Sequence, residues 1–243
     1  MPASTLPAAT NLLLDGLPRR DRARLIADCQ PVPLVLSSEL CEAGSTARHA
    51  WFPTEGFVSL LAEAGGTPGV EVGMVGNEGM LGAHLSLGVS ISPQRGLVQG
   101  AGMAWRIEAG RLAAHLASSR ALRAALGRYV YVLMAQQSMS AACLRFHPIG
   151  ERLARWLLMS QDRAHVDSFP VTHEFLAHML GVRRAGISGA AGILQARALI
   201  AYRRGRLTVL DRPGLEAASC ACYAADRGAY ARLLRANSAP SVE

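Results

Sequence analysis

The sequence predicts an α+β chain: a β-rich first part closed as a sandwich or barrel, a long helix, and a helix-turn-helix with a β-hairpin behind it. Three observations carry this. Glycine and proline recur every few residues up to residue 102, with short β-prone runs between them. Residues 111–144 contain no proline and a single glycine, and are rich in the helix formers Ala, Leu, Arg and Met. Residues 172–210 hold two helical patterns hinged on Gly181, then two β-prone runs around Gly205.

With 243 residues, 50% of them hydrophobic and 18% charged, the chain can bury one large or two ordinary cores, and is too apolar for a disordered or fibrous protein. No apolar run reaches the roughly 18–20 residues of a membrane span. The opening stretch MPASTLPAATNLLLDGLPRR has no basic region ahead of its apolar part, so no secretory signal is expected. Five cysteines at irregular gaps (Cys29, Cys41, Cys143, Cys220 and Cys222) do not form a disulfide framework. The expectation is a cytoplasmic protein.

A first helix is expected over Asp15–Cys29, with Leu17, Leu25 and Ile26 among four arginines. Turn signals such as Pro53, Gly56, Gly65-Gly66 and Pro68-Gly69 then bracket the strands Phe57–Leu61 and Val70–Val75. In the helical stretch, Leu126, Val130, Leu133, Gln137, Ser140 and Leu144 alternate gaps of four and three, the seam of a two-helix packing. Leu126, Val130, Leu133 and Gln137 are accordingly the dimerisation candidates. A helix packed on its own domain is the other reading of the same stripe. Pro148 breaks the pattern and fits the first turn of an amphipathic helix over 151–163, around Leu153, Trp156, Leu157 and Leu158. The expected divisions are a sensor at 1–109, a dimerisation helix and linker at 110–146, and a DNA-binding domain at 147–243.

Thr172 is a good N-cap for a short helix whose buried face is Phe175, Leu176, Met179 and Leu180. Gly181 permits a left-handed turn, Val182 plugs the space between helices, and Ile187, Ala190, Ala191 and Leu194 draw the inner face of a second helix. Such a pair lays its second helix in the DNA major groove. Residues 199–210 read as a wing with an arginine-rich tip, Arg203, Arg204 and Arg206. Charge agrees. All 25 basic residues are arginine; residues 1–109 hold 7 of them against 10 acids, and 110–243 hold 18 against 8. The basic half suits a polyanion, although a basic surface with no partner reads the same way.

With these motifs the chain resembles the Crp/Fnr family of bacterial transcription regulators, over nearly its whole length. Residues Glu151–Leu158 and Thr172–Ile200 are similar to that family's DNA-binding domain without a gap. The resemblance implies an N-terminal cyclic-nucleotide-binding-like jelly roll, a long dimerisation helix and a C-terminal winged helix-turn-helix. It also implies a homodimer on palindromic promoter DNA, with RNA polymerase as a further partner, and no enzymatic activity. By position, Thr172, His173, Arg183, Arg184, Ser188 and Gly189 fall at the DNA-facing starts of the two helices. Arg203, Arg204 and Arg206 grip phosphates from the wing. In the cyclic-AMP receptor branch the reading positions hold Arg, Glu and Arg; here they are Arg184, Ala185 and Gly189, so the operator should differ. Arg184 can still make the bidentate contact to guanine.

For the sensor, the same branch binds the nucleotide with a Gly-Glu pair and a following Arg. Here Asn77 separates Gly76 from Glu78 and Gly79, and Arg95 lies one position late, which on a strand turns a side chain to the other face. The expected effector is therefore not cyclic AMP. Other chemistry is absent. Cys29 and Cys41 are too few for an iron–sulfur sensor. Cys220 and Cys222 lack further ligands at motif spacing, so no metal is expected. His173 and His178 lie five apart, about 140° around a helix, and cannot share a zinc. His178 is expected to be exposed. No cofactor and no catalytic constellation emerge. The competing function is a ligand-binding jelly-roll protein whose C-terminal half makes protein contacts, which predicts little affinity for DNA.

Overall fold

The computed structural model describes residues 10–63, 65–66 and 69–234. The opening residues 1–9, the turn residue Pro68 and the last nine positions lie outside the described residues.

The β-rich part holds two antiparallel sheets. One orders β1 (Gln30–Leu34), β7 (Gly102–Glu108) and β3 (His49–Pro53); the other orders β2 (Glu39–Cys41), β6 (Arg95–Gly100), β4 (Phe57–Ala62) and β5 (Val70–Val75). Leu34, Phe52 and Ile107 from the first sheet and Val58, Val75 and Val98 from the second share one buried core, as expected of a β roll. Two helices precede the roll where the sequence suggested one. Pro18 has no N–H to continue a helix, so α1 (Leu12–Asp15) stops and α2 (Arg19–Ala27) starts afresh.

The helical stretch also divides. α3 (Ala109–Ser118) ends at Ser119, whose extended backbone and side chain cap α4 (Arg120–Phe146) by accepting the Leu122 N–H at 3.0 Å. The roll claims one face of α4: Leu122, Ala125, Leu126, Tyr129 and Leu133 all enter its core. Gly79 makes this possible, because a Cβ there would collide with the Tyr129 ring and hydroxyl. Two of the four dimerisation candidates, Leu126 (0% exposed) and Leu133 (9%), are thus consumed within the chain. Val130 and Gln137 are half-buried beside them, on a cavity of about 200 Å³ between the roll and α4. The periodic stripe is real, but its partner is the chain's own roll. The open face lies one residue along: Gly127, Tyr131, Met134, Ser138, Ala141 and Arg145, again with gaps of four and three.

Beyond Pro148, which sits just before the helix as its cap, α5 (Ile149–Ala164) packs against α7 (Arg184–Ala196) and α8 (Arg212–Ala218), while α9 (Cys222–Leu234) returns along α4. The C-terminal core gathers Leu153, Trp156 and Leu157 with Leu176, Ile187, Leu194 and Leu207. It also takes in Phe57, Leu61 and Met74 from the roll. The two halves therefore share buried apolar surface.

Candidate nucleic-acid interface and its attachment to the roll

The C-terminal half presents two short helices and a hairpin. Thr172 caps α6 (His173–Met179) by accepting the Phe175 N–H at 3.1 Å. Gly181 takes φ +60°, and its bare Cα lets the Val70 side chain approach. α7 (Arg184–Ala196) starts with no side-chain cap and is continuous through Gly186, Gly189 and Gly192. Its inner face is Ile187, Ala190, Ala191 and Leu194; Arg183, Arg184, Ser188 and Gly189 are exposed.

His173 joins three elements. Its Nδ1 lies 3.0 Å from Ser188 Oγ on α7, and its ring stacks on Tyr202 with centroids 4.5 Å apart. Burial, then the charge of Arg184, lowers its pKa, so the ring is held neutral. Ser188 is thereby already engaged. His178 is half-buried where exposure was expected, because α6 lies against β5.

Behind the helices, β8 (Ser168–Pro170), β10 (Arg206–Val209) and β9 (Ile200–Arg203) form a small antiparallel sheet. The β9–β10 turn puts Arg204 at φ +50° and Gly205 at φ +76°, the two positive values of a tight hairpin whose twist suits its strands. An arginine in that conformation is strained relative to Asn or Gly.

The arginines divide by partner. Arg155 meets Asp226 at 2.6 Å, Arg163 meets Glu78 at 2.7 Å, and Arg212 meets Asp162 at 2.6 Å. Among the described residues, Arg183, Arg184, Arg203, Arg204 and Arg206 have no carboxylate in ion-pair range, and all five are exposed. Arg197, the C-cap of α7, is exposed and unpaired in the same way; the sequence reading passed over it, because its spacing from Leu194 points to the inner face and only the end of the helix frees it.

The effector candidates do not assemble into one site. Glu78 is held by Arg163 of α5 and accepts the Gly76 N–H at 3.2 Å. Arg95 pairs with Glu39 at 3.0 Å and Glu63 at 3.4 Å. Gly79 serves Tyr129. Glu78, a candidate for facing a ligand, thus fastens the roll to α5, and Gln99 adds a contact from the roll to Met179 Sδ on α6 at 2.9 Å.

Glu71 lies in the same junction. Burial raises its carboxyl to about 7, against the hydrogen bond from Ser59 Oγ at 2.5 Å and the nearby Arg155 and Arg163. A folded-state pKa above the unfolded one means that the native state binds the extra proton between about pH 4.5 and 7, so this group's contribution to stability falls as pH rises through that window. Glu71→Gln should flatten the decline and gain about 2–3 kcal/mol at pH 8 relative to pH 4.5. Urea titrations of both proteins at the two pH values check this; parallel pH profiles would exclude Glu71 as the source.

The fold brings the thiols neighbours that motif spacing does not reach. Cys220 and Cys222 do have further ligand-type neighbours: the end of α4 brings Cys143 and His147 to them. The Cys143 thiol, 3.6 Å away, lowers the pKa of Cys220.

The described chain thus joins a β roll, a long helix and a C-terminal winged helix-turn-helix with an unpaired arginine surface. Residues 151–218 match the Crp-like helix-turn-helix domain family. The fold is shared with FixK2 of Bradyrhizobium japonicum (TM-score 0.67, 11% identity, 79% of this chain and 98% of that one). It is shared equally with the c-di-GMP responsive global regulator CLP of Xanthomonas campestris (0.64, 18%, 79% and 99%). TTHB099, a CRP-family transcriptional regulator of Thermus thermophilus, is similar too (0.63, 19%, 77% and 96%). No curated protein sequence matches the chain. The chain thus carries a Crp-like helix-turn-helix domain over residues 151–218, within a fold shared with solved Crp/Fnr-type regulators. Among the described residues, no helix is long and apolar enough to cross a membrane.

Proposed function

We propose that the chain works in the cytoplasm as a homodimeric, sequence-specific regulator that lays α7 in the major groove of promoter DNA, with RNA polymerase as a further partner. The observation that carries this reading is the set of exposed arginines without carboxylate partners on α7 and the wing, whereas Arg155, Arg163 and Arg212 are each paired with a carboxylate. Arginines left free of acids are available to phosphates and guanine edges. The strained backbone of Arg204 supports the wing's part in this, since it holds a cation at the tip where glycine or asparagine would relax the turn.

The dimer seam we assign to the open face of α4, through Tyr131 and Met134, both 62% exposed. A second copy is the occupant that a heptad-spaced stripe fits. The effector is not cyclic AMP in this reading, because Arg95 and Glu78 are each neutralised by another partner. The cavity against α4, lined by Leu60, Met80, Leu81 and Leu133, suits an apolar molecule.

Selection from random-sequence DNA, with and without cyclic AMP, tests the reading. A palindromic motif enriched in both conditions is expected. Enrichment only with the nucleotide would overturn the assignment of Arg95, and no enrichment would favour a protein-contacting C-terminal half. On the selected site, Arg184→Ala should cost about 1–3 kcal/mol and relax one base pair. Arg204→Ala should weaken all sequences alike and reduce the salt slope by about 1. Equal effects of the two variants on specific and random DNA would refute these roles.

A further inference from the structure

Four side chains far apart in sequence converge where α4 ends and α9 begins. Cys143 lies on the last turn of α4 and His147 immediately follows that helix; Cys220 and Cys222 flank the turn into α9. The four ligand atoms all lie within 4.8 Å of one another. Cys143 Sγ is 3.6 Å from Cys220 Sγ, and Cys222 Sγ is 3.5 Å from His147 Nδ1. We propose that Cys143, His147, Cys220 and Cys222 bind a Zn²⁺ ion that clamps the end of α4 to α9.

Geometry selects this ion. A tetrahedral centre with Zn–S of about 2.3 Å and Zn–N of about 2.0 Å has S···S edges of about 3.8 Å and S···N edges of about 3.5 Å. The two distances given are close to those edges, so binding requires adjustments of only tenths of an ångström at these pairs. Three thiolates and one imidazole are the soft and borderline donors that Zn²⁺ takes in preference to Mg²⁺ or Ca²⁺. A polynuclear iron–sulfur cluster would spread its ligands wider than this set. All three cysteines are buried and the protein supplies four ligands, the closed arrangement of a structural site with no position for a substrate.

The surrounding charge fits as well. Zn²⁺ with three thiolates carries a net −1. Arg155 is already balanced by Asp226, but the buried Arg152 hydrogen-bonds only to the Leu180 carbonyl and has no carboxylate in ion-pair range among the described residues. Arg152 shares a small cavity with Cys143. An anionic metal centre beside it supplies the counter-charge that a buried guanidinium needs. The clamp spans Pro148 and fixes α9, which lies beyond the 151–218 domain match, onto the helix of the sensor half.

Metal analysis of the full-length protein, purified under reductant from zinc-supplied cells, tests the site. One Zn²⁺ per chain is expected. Replacement by Co²⁺ should give the intense visible bands of tetrahedral cobalt together with thiolate charge transfer. Cys222→Ser and His147→Ala should lose the metal and the spectrum, whereas the distant Cys29→Ser should keep both. Should the variants fail to fold, the wild-type cobalt spectrum alone decides, because octahedral Co²⁺ without thiolate bands excludes the site. Reduced, folded wild-type protein that takes up neither ion, or metal retention unchanged in Cys222→Ser, would equally overturn the proposal. A Cys143–Cys220 disulfide with no metal uptake after reduction would replace it with a thiol pair.

Discussion

Arg163→Met should destabilise the chain by about 3–5 kcal/mol, the cost of leaving one member of a buried ion pair uncompensated. The guanidinium is 8% exposed and the Glu78 carboxylate 15%, and they meet at 2.7 Å. Methionine keeps most of the aliphatic stem, so the loss falls mainly on the stranded carboxylate. For a chain of this length the midpoint of thermal unfolding should drop by roughly 10–15 °C. The double variant Glu78→Leu/Arg163→Met should recover much of that loss, since apolar replacement of a buried pair is often neutral. Thermal melts of the two variants separate the cases. A single variant within 1 kcal/mol of wild type would mean that water already solvates the pair.

The second large effect concerns assembly. In Met134→Glu the carboxylate falls on the open face of α4, and a two-fold axis would set it close to its own copy. Dissociation to monomers near 26 kDa is expected by sedimentation at micromolar concentration, with the circular dichroism of the folded chain retained. Affinity for a palindromic operator should fall by about 10²–10⁴-fold, because the second half-site is no longer engaged by a tethered copy. Leu133→Glu should behave differently. It buries a charge in the chain's own core and should unfold the roll rather than split a dimer. If Met134→Glu remains dimeric, the seam lies elsewhere on the molecule.

These two variants show where sequence reading succeeds and stops. The turn at Gly181, the Thr172 cap, the wing at Gly205 and the proline-free helix could be read because each is local, a few residues whose conformational preferences point one way. The α+β layout followed from them. The partner of the Leu126–Leu133 stripe could not be read. Periodicity says that a face is covered and is silent on what covers it, and α4 carries two such stripes one residue apart. Breaks at Pro18 and Ser119 could be read in principle, from a missing N–H and a capping hydroxyl, and were obscured by the helix formers around them. The partners of Glu78 and Arg95 lie 85 and 56 positions away. The neighbours of Cys220 and Cys222 lie 77 and 75 positions away. Spacing rules that look for ligands within one motif do not reach so far.

The three roll residues inside the C-terminal core, Phe57, Leu61 and Met74, bear on cooperativity. Swinging the DNA-binding half away from the roll exposes them, at about 1.5–3 kcal/mol for each side chain. The sum, on the order of 5–9 kcal/mol, is comparable with the whole binding energy of a micromolar ligand, about 8 kcal/mol. A ligand that prefers the swung form could not by itself make it dominant unless nearly all its affinity were differential. The free chain should therefore occupy one orientation and melt as one unit. Calorimetry of the unliganded protein should show a single transition with matching calorimetric and van't Hoff enthalpies, and two resolved peaks would mean that the halves are energetically independent.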